Sequence, residues 1–312
     1  MNNKIEGRVI SARTSFYDVD IGASVLRCQL RGVVKKKLRS EIGKQIYSDP
    51  ISVGDKVLVT PIDNEEGSIE DLLPRDNKLS RRDPNRHREI EQIIVSNVDQ
   101  AIIVGSIHSP DLNCRFIDRF LILAAAGNIN AVICINKADL LNEYEQSKFY
   151  KTFQVYEDLG YQLILTSIHY QETIDQLRSI LKGKLSVIVG TSGVGKSSLL
   201  NAIQPNLGLR THEVSSKTKK GRHTTTLVEL FDLEIGGKVA DTPGVREVGL
   251  WGVNPDHIDH YFPEMESRIS ACKFSDCSHL REPNCAIIEA VKQGEIAAFR
   301  YESYLALLGE NN

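Results

Sequence analysis

Long apolar runs are missing from this chain of 312 residues. No stretch approaches the roughly 18 consecutive apolar residues of a transmembrane helix, and the first residues, M-N-N-K-I-E-G, lack the apolar core of a signal peptide. We therefore expect no membrane partner and a cytoplasmic location. Because no secretion signal accompanies them, the six cysteines favour reduced thiols or a metal site over a disulfide framework.

A strong excess of basic charge is also missing, since 38 Lys and Arg residues against 41 Asp and Glu residues leave a net charge of −3. Bulk charge therefore does not indicate nucleic-acid binding. Two local stretches, residues 27–39 and 75–88, are nevertheless basic. Such runs are usually solvated surface, so alone they are weak indications of RNA contact.

The pattern of short apolar segments divides the chain into four parts. Residues 1–74 predict four or five short strands in an all-β barrel of the oligonucleotide-binding (OB) type, with an SH3-like barrel as the alternative. Residues 75–97 are predicted to be a basic linker, structureless over 74–88. Residues 98–250 alternate between strand and helix patterns, which predicts an α/β domain with a parallel sheet covered by helices on both faces. Residues 251–312 form a C-terminal helical module.

A glycine-rich turn in the α/β part fits the phosphate-loop pattern G-x-x-x-x-G-K-[ST]. It follows a predicted strand at 185–189 and precedes a predicted helix at 196–203. Backbone N–H groups of such a turn surround phosphate oxygens, and the helix N-terminus adds partial positive charge. We expect Lys196 to reach the β- and γ-phosphates and the Ser197 hydroxyl to bind Mg²⁺. The predicted loop consists of Gly190, Thr191, Ser192, Gly193, Val194, Gly195, Lys196, Ser197 and Ser198.

The sequence N-K-A-D (Asn136, Lys137, Ala138 and Asp139) directly follows a predicted strand at 131–135. The Asp139 carboxylate can accept hydrogen bonds from guanine N1–H and from the exocyclic amine, a pair of donors that adenine lacks. We expect Asn136 to buttress the loop and the stem of Lys137 to cover the base. Together with the phosphate loop, this element favours GTP over ATP.

Three further elements complete the predicted nucleotide site. Thr166 and Ser167 stand where GTPases offer backbone amides to the guanine oxygen, although an ordinary helix cap is the alternative. Asp241 ends a strand and opens the motif D-T-P-G, so we expect it to hold Mg²⁺ through water and Gly244 to donate to the γ-phosphate. In the upstream motif G-R-H-T-T-T, Thr225 is our first choice for closing on Mg²⁺ when triphosphate is bound.

The glutamine that orients the attacking water in Ras-like GTPases is missing, because Val245 occupies its position. His223 is the candidate for this role, and a solvent-exposed loop histidine is the equal alternative. The predicted catalytic residues are therefore Lys196, Thr225 and His223. Intrinsic hydrolysis should be slow, with a partner that orders the loop.

The order of the motifs is unusual. In this chain N-K-A-D precedes the phosphate loop, whereas in ordinary GTPases it follows the phosphate loop. This order predicts a circularly permuted GTPase core, which a domain with neighbouring surface termini tolerates. Two tandem partial domains are the alternative, which the single copy of each motif disfavours. The loop after Asp241 leads into the C-terminal module, so we expect nucleotide state to reposition that module.

The C-terminal module carries the pattern C-x4-C-x-H-x5-C. Four soft ligands with no spare position predict one closed, structural zinc site at Cys272, Cys277, His279 and Cys285. Unrelated reduced cysteines are the alternative. The other three cysteines lie in apolar segments and are predicted to be packing residues.

This series of motifs resembles the RsgA family (also called YjeQ or YloQ), bacterial GTPases of late small-ribosomal-subunit assembly. The resemblance covers nearly the whole chain and rests on N-K-A-D, G-T-S-G-V-G-K-S-S, G-R-H-T-T-T, D-T-P-G-V-R and the Cys–His spacing. It implies an OB fold, a permuted GTPase core and a zinc-finger domain. It also implies Zn²⁺ and Mg²⁺ as cofactors, GTP, GDP, the 30S subunit and 16S rRNA as partners, and a water-orienting role for His223.

The expected function is therefore GTP hydrolysis stimulated by the ribosome, and with this resemblance the basic stretches become candidate rRNA contacts. We expect the chain to act as a monomer. The sequence departs from the family at Ile168, where the alanine common in the guanine-amide element is missing. A nucleotide-gated RNA-binding module with incidental hydrolysis is the alternative function, which Val245 keeps open.

Overall fold

The computed structural model describes residues 4–13, 16–34, 36, 50–82, 91–209, 228–242 and 250–309. Its strands are β1 (Ile5–Ala12), β2 (Tyr17–Asp20), β3 (Val25–Leu30), β4 (Lys56–Pro61), β5 (Glu66–Leu72), β6 (Lys78–Arg82), β7 (Glu91–Ser96), β8 (Gln100–Ser106), β9 (Asn130–Asn136), β10 (Gln162–Leu165), β11 (Leu185–Val189), β12 (Glu229–Asp232) and β13 (Lys238–Asp241). Its α-helices include α1 (Cys114–Ala126), α2 (Glu143–Asp158), α3 (Gln171–Leu181), α4 (Lys196–Ile203), α5 (Pro263–Ile269), α6 (Ala286–Gln293) and α7 (Ala298–Gly309).

The first five strands close into a barrel. β1 pairs antiparallel with β2 and β4, β2 with β3, and β4 with β5, while β3 and β5 run parallel. Alternate apolar side chains point inward, as the period of a strand requires, and the most buried include Val9, Val19, Val57 and Ile69, each 0% exposed. The predicted OB-type barrel is confirmed. Strand β2 was not predicted as a separate strand, because it is only four residues long.

The segment after the barrel corrects the prediction of a structureless connector. β6 and β7 form an antiparallel pair in which Leu79 is buried. Opposite charges and amides meet across the pair: the Lys78 ammonium lies 2.7 Å from the buried Glu91 carboxylate, and the Arg81 Nε donates to Gln92 at 2.7 Å. The basic composition of this segment suggested a solvated chain. The residues that pair with its lysine and arginine lie on the other strand, so the basic segment alone does not show them.

The α/β part confirms a single sheet with helices on both faces. Its strands follow the order β10-β9-β8-β11-β13-β12, and the first five are parallel. One face packs against α1 and α2 through residues such as Phe120 and Tyr156. The other face packs against α3 and α4 through residues such as Leu177 and Leu200. Because one sheet carries every strand of this part, two tandem partial domains are not present among the described residues.

The barrel and the α/β sheet are continuous, which the sequence analysis did not predict. β1 pairs antiparallel with the edge strand β12, with Ser11 opposite Glu229. The Lys238 ammonium of β13 donates to Asp20 of β2 at 2.9 Å. The α/β domain therefore offers β12 to the barrel instead of leaving it as an exposed edge.

The C-terminal module begins with a 3-10 helix, Pro255–Tyr261, and continues with α5, α6 and α7. Helix α7 packs against α1 of the α/β domain and buries Arg300, Tyr304 and Leu307. This face of α7 is therefore part of the core. None of the helices within the described ranges combines the length and apolarity that a membrane crossing needs.

Candidate functional site: a nucleotide site and a cysteine–histidine cluster

The phosphate-loop residues connect β11 to α4, at the carboxyl end of a strand between β8 and β13. This edge of a parallel sheet is where α/β proteins bind ligands. The Lys196 ammonium donates to the carbonyl oxygens of Gly190 (2.7 Å) and Thr191 (3.2 Å), so its side chain lies back across the loop. Gly190 and Val194 are buried, whereas the other loop residues are half-buried or exposed: Thr191, Ser192, Gly193, Gly195, Lys196, Ser197 and Ser198.

Two glycines of the loop are required by close approaches. A Cβ on Gly190 would lie 2.6 Å from the Val104 carbonyl oxygen of the neighbouring strand. A Cβ on Gly195 would lie 2.3 Å from the Asn136 amide nitrogen, and Gly195 has a φ of +97°. Both distances are far below van der Waals contact, so a larger residue would displace the loop or the side chain of Asn136.

The N-K-A-D residues lie at the same edge of the sheet, at the end of β9. The Asn136 side-chain amide donates to the Val194 carbonyl oxygen at 2.8 Å, although the two residues are 58 positions apart. The Ala138 amide donates to the Thr166 carbonyl oxygen at 3.0 Å. The ammonium of Lys137 donates to the carbonyl oxygen of Ser109, and burial lowers the pKa of Lys137. The structure thus joins the predicted guanine element to the phosphate loop.

The structure places Thr166 and Ser167 against Asn136 and Asp139. The Thr166 amide donates to the Ile135 carbonyl oxygen and the Ser167 amide to the Thr173 hydroxyl, so both N–H groups are used within the protein. Their contact with a guanine oxygen stays a prediction, since in this structure both amides donate within the protein. The Ser167 hydroxyl donates to the Asp139 carboxylate. Sequence reasoning missed this contact because it depends on the position of two strand ends.

Asp241 lies beside the strand that leads into the phosphate loop, since it is in register with Ile188 of β11. Burial raises the pKa of Asp241, and the nearby charge of Lys196 opposes that rise. The hydroxyl of the next residue, Thr242, donates to the Ile188 carbonyl oxygen at 2.8 Å. The structure therefore brings Asp241 to the carboxyl edge that carries the loop. The predicted residues His223, Thr225, Gly244 and Val245 lie outside the described residues.

The predicted metal ligands converge in the C-terminal module. Ligand atoms of Cys272, Cys277, His279 and Cys285 all lie within 4.8 Å of one another. The Cys272 sulfur is 3.6 Å from His279 Nδ1 and 3.9 Å from the Cys285 sulfur, and His279 Nδ1 is 3.3 Å from that sulfur. Zn–S bonds of about 2.3 Å in a tetrahedron require sulfurs about 3.8 Å apart. The four residues can therefore hold a metal ion of tetrahedral preference.

The donor chemistry of this cluster fits the same ion. Burial and the neighbouring thiol of Cys285 raise the pKa of Cys277 to about 12. Three adjacent sulfurs would repel one another as thiolates, and a divalent cation removes that repulsion. The cluster therefore has the composition and the spacing of a closed structural site.

Several residues around the cluster were not predicted. The Asp259 carboxylate accepts from His279 Nε2 at 3.1 Å. The Glu282 carboxylate accepts from the Ser278 hydroxyl and from backbone amides of the same loop, and these hydrogen bonds lower the pKa of Glu282 to about 2. The Tyr301 hydroxyl of α7 donates to the His279 carbonyl oxygen at 2.6 Å. The acidic residues had no local pattern to mark them, and Tyr301 looked like an ordinary core residue.

The two basic stretches differ in what they offer a partner. In the first, Arg27 is exposed and lies over the Phe16 ring, 5.9 Å from its centroid. In the second, the Arg75 guanidinium makes two 2.6 Å contacts to the buried Asp55 carboxylate, and Arg81 is itself buried. At least two basic residues of the second stretch, Arg75 and Arg81, therefore make contacts within the fold.

Comparison with known proteins gives one consistent result. Residues 72–251 match the family model described as the RsgA GTPase, and residues 6–69 match the one described as the RsgA N-terminal domain. A protein of Alkaliphilus metalliredigens named small ribosomal subunit biogenesis GTPase RsgA is 39% identical over 306 residues, which cover 98% of this chain and 97% of the relative.

Two solved structures are similar over nearly the full length. The crystal structure of YjeQ from Thermotoga maritima has a TM-score of 0.76 and 37% sequence identity, covering 99% of this chain and 98% of that one. The structure of YloQ, described as a circularly permuted GTPase, has a TM-score of 0.71 and 32% identity, covering 99% and 95%. These likenesses agree with a permuted core in a single sheet.

Proposed function

The chain belongs to the RsgA GTPase family, and we propose that it hydrolyses GTP to GDP and phosphate as a ribosome-stimulated factor in late maturation of the small ribosomal subunit. One observation supports the nucleotide assignment most: the Asn136 amide is hydrogen-bonded to Val194 of the phosphate loop. This hydrogen bond holds the guanine-binding element next to the phosphate loop, so the two can bind the base and the phosphates of one nucleotide.

In the proposed complex, Asp139 accepts from guanine N1–H and from the exocyclic amine, while the Ser167 hydroxyl orients that carboxylate. The guanine oxygen is assigned to the amide of Ile168, the next residue along the chain, whose side chain is 50% exposed. Backbone N–H groups of residues 190–198 surround the phosphates, and Lys196 leaves its carbonyl partners to reach the β- and γ-phosphates.

For hydrolysis, Ser197, Thr225 and Asp241 would hold Mg²⁺, with Asp241 acting through water. When bound, Mg²⁺ neutralises charge that develops between the β- and γ-phosphate oxygens. Gly244 donates its amide to the γ-phosphate, and His223 orients the attacking water because the usual glutamine position holds Val245. We propose Zn²⁺ as the resident ion of the Cys272, Cys277, His279 and Cys285 cluster.

The proposed macromolecular partners are the 30S subunit and its 16S rRNA, contacted by the barrel and the C-terminal module. The exposed Arg27 beside the Phe16 ring supports the barrel as an RNA surface, because aromatic rings stack on bases and Arg pairs with phosphate. We also propose that the chain acts in the cytoplasm, where it would meet ribosomal subunits, and that it acts as a monomer. The proposed domain limits are 1–74 for the barrel, 75–97 for a joining segment, 98–250 for the GTPase and 251–312 for the C-terminal module.

The guanine assignment is tested with Asp139→Asn. Loss of two hydrogen bonds to a charged acceptor is expected to weaken GTP binding about 100-fold. Xanthine carries an oxygen in place of the guanine amine, so the asparagine amide can donate to it and XTP turnover should appear. Asp158→Asn, at the exposed end of α2, is the matched control. Unaltered GTP affinity in Asp139→Asn would remove the assignment.

The ribosomal function is tested by GTP turnover with and without purified 30S subunits. We expect stimulation in the native chain and its loss in His223→Ala, with nucleotide affinity retained. The alternative predicts a different pair of results: 30S subunits would leave GTP turnover unchanged, and the chain would still bind them according to its nucleotide state. That outcome would favour the RNA-binding module with incidental hydrolysis.

A further inference from the structure

The loop from Ile107 to Asp111 touches both ends of the nucleotide site, although no sequence motif marks it. The Ile107 amide donates to the Asn136 carbonyl oxygen at 3.0 Å. On the phosphate side, a Cβ on Gly193 would lie 3.5 Å from Pro110 Cδ. Between these contacts, the Ser109 carbonyl oxygen receives the Lys137 ammonium. The loop thus supports the side chain whose stem is assigned to the base.

His108 ties this loop to helix α2. Its Nδ1 atom lies 3.1 Å from the Asp111 carboxylate, and its Nε2 atom lies 3.0 Å from the Glu145 carboxylate. Glu145 is in the first turn of α2, and the amide of the N-cap residue Asn142 also donates to its carboxylate. Helix α2 begins just after N-K-A-D. The imidazole of His108 therefore connects the loop that contacts Lys137 to the helix that follows Lys137 in the chain.

The charge of His108 is part of this connection. Hydrogen bonds to two carboxylates require a proton on each ring nitrogen, which only the imidazolium supplies. The Glu145 hydrogen bond first, and the Asp111 hydrogen bond second, raise the pKa of His108 above its ordinary value. Of the described residues, Asp111 and Glu145 are the charged groups in contact with the ring, and the edge of the Phe149 ring covers it.

We propose that His108 is a positioning residue for guanine nucleotide: it holds the Ser109 carbonyl oxygen where the Lys137 ammonium reaches it, and so keeps the Lys137 stem over the base. The proposal rests on the assignment of N-K-A-D to guanine. It concerns affinity and not chemistry, because His108 and Ser109 act through Asp111, Glu145 and Lys137, on the side of the site assigned to the base.

The test is equilibrium binding of fluorescent GDP and GTP analogues to the full chain. Exposed ion pairs contribute modestly, so His108→Gln should weaken both ligands by about 2- to 5-fold at about pH 6, with turnover at saturating GTP unchanged. The same substitution in a Lys137→Met background should have no further effect, because the carbonyl then has no ammonium to hold. His257→Gln, an exposed histidine of the C-terminal module, is the matched control.

A pH series separates positioning from a general loss of structure. The nucleotide phosphate titrates in the same range, so the measured quantity is the ratio of the variant and native dissociation constants. We expect this ratio to fall toward one as the pH rises and native His108 loses its second ring proton. A weakening that persists in the Lys137→Met background, a ratio independent of pH, or no weakening at all would overturn the proposal.

Asp139→Asn distinguishes this failure from failure of the guanine assignment. If Asp139→Asn leaves GTP affinity intact, the guanine site itself is misassigned. If Asp139→Asn weakens GTP binding and His108→Gln does not, only the role of His108 is wrong.

Discussion

The Nε2 atom of His279 lies 3.1 Å from the Asp259 carboxylate, and both residues are buried. A proton on Nε2 satisfies this contact and leaves Nδ1 as the lone-pair atom, which faces the sulfurs of Cys272 and Cys285. A carboxylate behind a ligating histidine fixes its tautomer and its orientation. Asp259, from the 3-10 helix, therefore prepares the metal site before any ion arrives.

Asp259→Asn is expected to weaken zinc binding. Loss of such a carboxylate partner typically lowers metal affinity by about 10- to 100-fold, which competition with a chromogenic chelator measures. Asp256→Asn, an exposed residue of the same 3-10 helix, provides the control and should bind zinc like the native chain. Equal affinities for the two variants would contradict the role of Asp259.

Removal of the metal should loosen a defined part of the chain. The hydroxyls of Tyr301 and Tyr304 donate to the carbonyl oxygens of His279 and Ser278, so α7 depends on the loop that the metal organises. After chelation, we expect faster hydrogen exchange in residues 272–285 and 298–309. Residues 5–30 of the barrel are the internal reference, and equal protection of all three segments with and without metal would count against this dependence.

Arg300 is expected to be required for stability. Arg300 as a whole is 1% exposed, and its guanidinium donates to the buried carboxylates of Asp118 and Glu264 and lies 4.6 Å from the centroid of the Phe262 ring. Burial favours the neutral form of Asp118 and raises its pKa, and the charge of Arg300 opposes that rise. Arg300→Met leaves both carboxylates without their cation, which should cost about 3–5 kcal/mol in the free energy of unfolding.

The control for Arg300 neutralises its partners as well. In the triple variant Arg300→Met, Asp118→Asn and Glu264→Gln, no uncompensated charge remains, so most of the lost stability should return. Denaturant unfolding monitored by Trp251 fluorescence compares the two variants with the native chain. If the triple variant were no more stable than the single one, packing and not charge would explain the loss.

Gly195→Ala should weaken nucleotide binding. The new methyl group would lie 2.3 Å from the Asn136 amide nitrogen, and the φ of +97° is strained for any residue with a Cβ. Relief requires Asn136 to release Val194, so we expect at least about a tenfold loss of GTP affinity. Gly32→Ala, where a Cβ meets open space, is the control. Unchanged binding would mean that Asn136 is not needed in its observed place.

The ion pair of Asp20 with Lys238 predicts an acid dependence of stability. Burial would raise the pKa of Asp20, but the Lys238 and Gly22 hydrogen bonds outweigh it and hold the pKa below its ordinary value. A carboxyl with a lowered folded-state pKa stabilises the protein above its unfolded value, and this contribution disappears as pH falls through the folded value.

Asp20→Asn should therefore lower the melting temperature at about pH 7 and reduce the loss of stability between about pH 5 and 3. The expected contribution is about 0.5–1 kcal/mol. The double variant Asp20→Asn with Lys238→Met should lose little more than Lys238→Met alone, because the two residues act as a pair. A native-like pH profile in Asp20→Asn would contradict the assignment.

The sequence by itself determined the features in which the chemistry is contiguous. The phosphate loop is one run of nine residues, N-K-A-D is one run of four, and the cysteine–histidine cluster lies within fourteen residues. Each has a spacing that only a few structures explain, and their order alone indicated a permuted core. The barrel and the alternating sheet followed from apolar periodicity, since burial repeats with the period of the element.

Tertiary structure decided the partners that complete these motifs. Asp259 is 20 residues from His279, Ser167 is 28 from Asp139, and Arg300 is 182 from Asp118. Such pairs leave no local pattern, because the backbone between them can take many paths and only the packed sheet and helices select one. The β6–β7 pair was missed for the same reason, since its lysine and arginine are matched across strands. The sequence shows the type of each residue, whereas its burial and the compensation of its charge depend on which residues the fold places beside it.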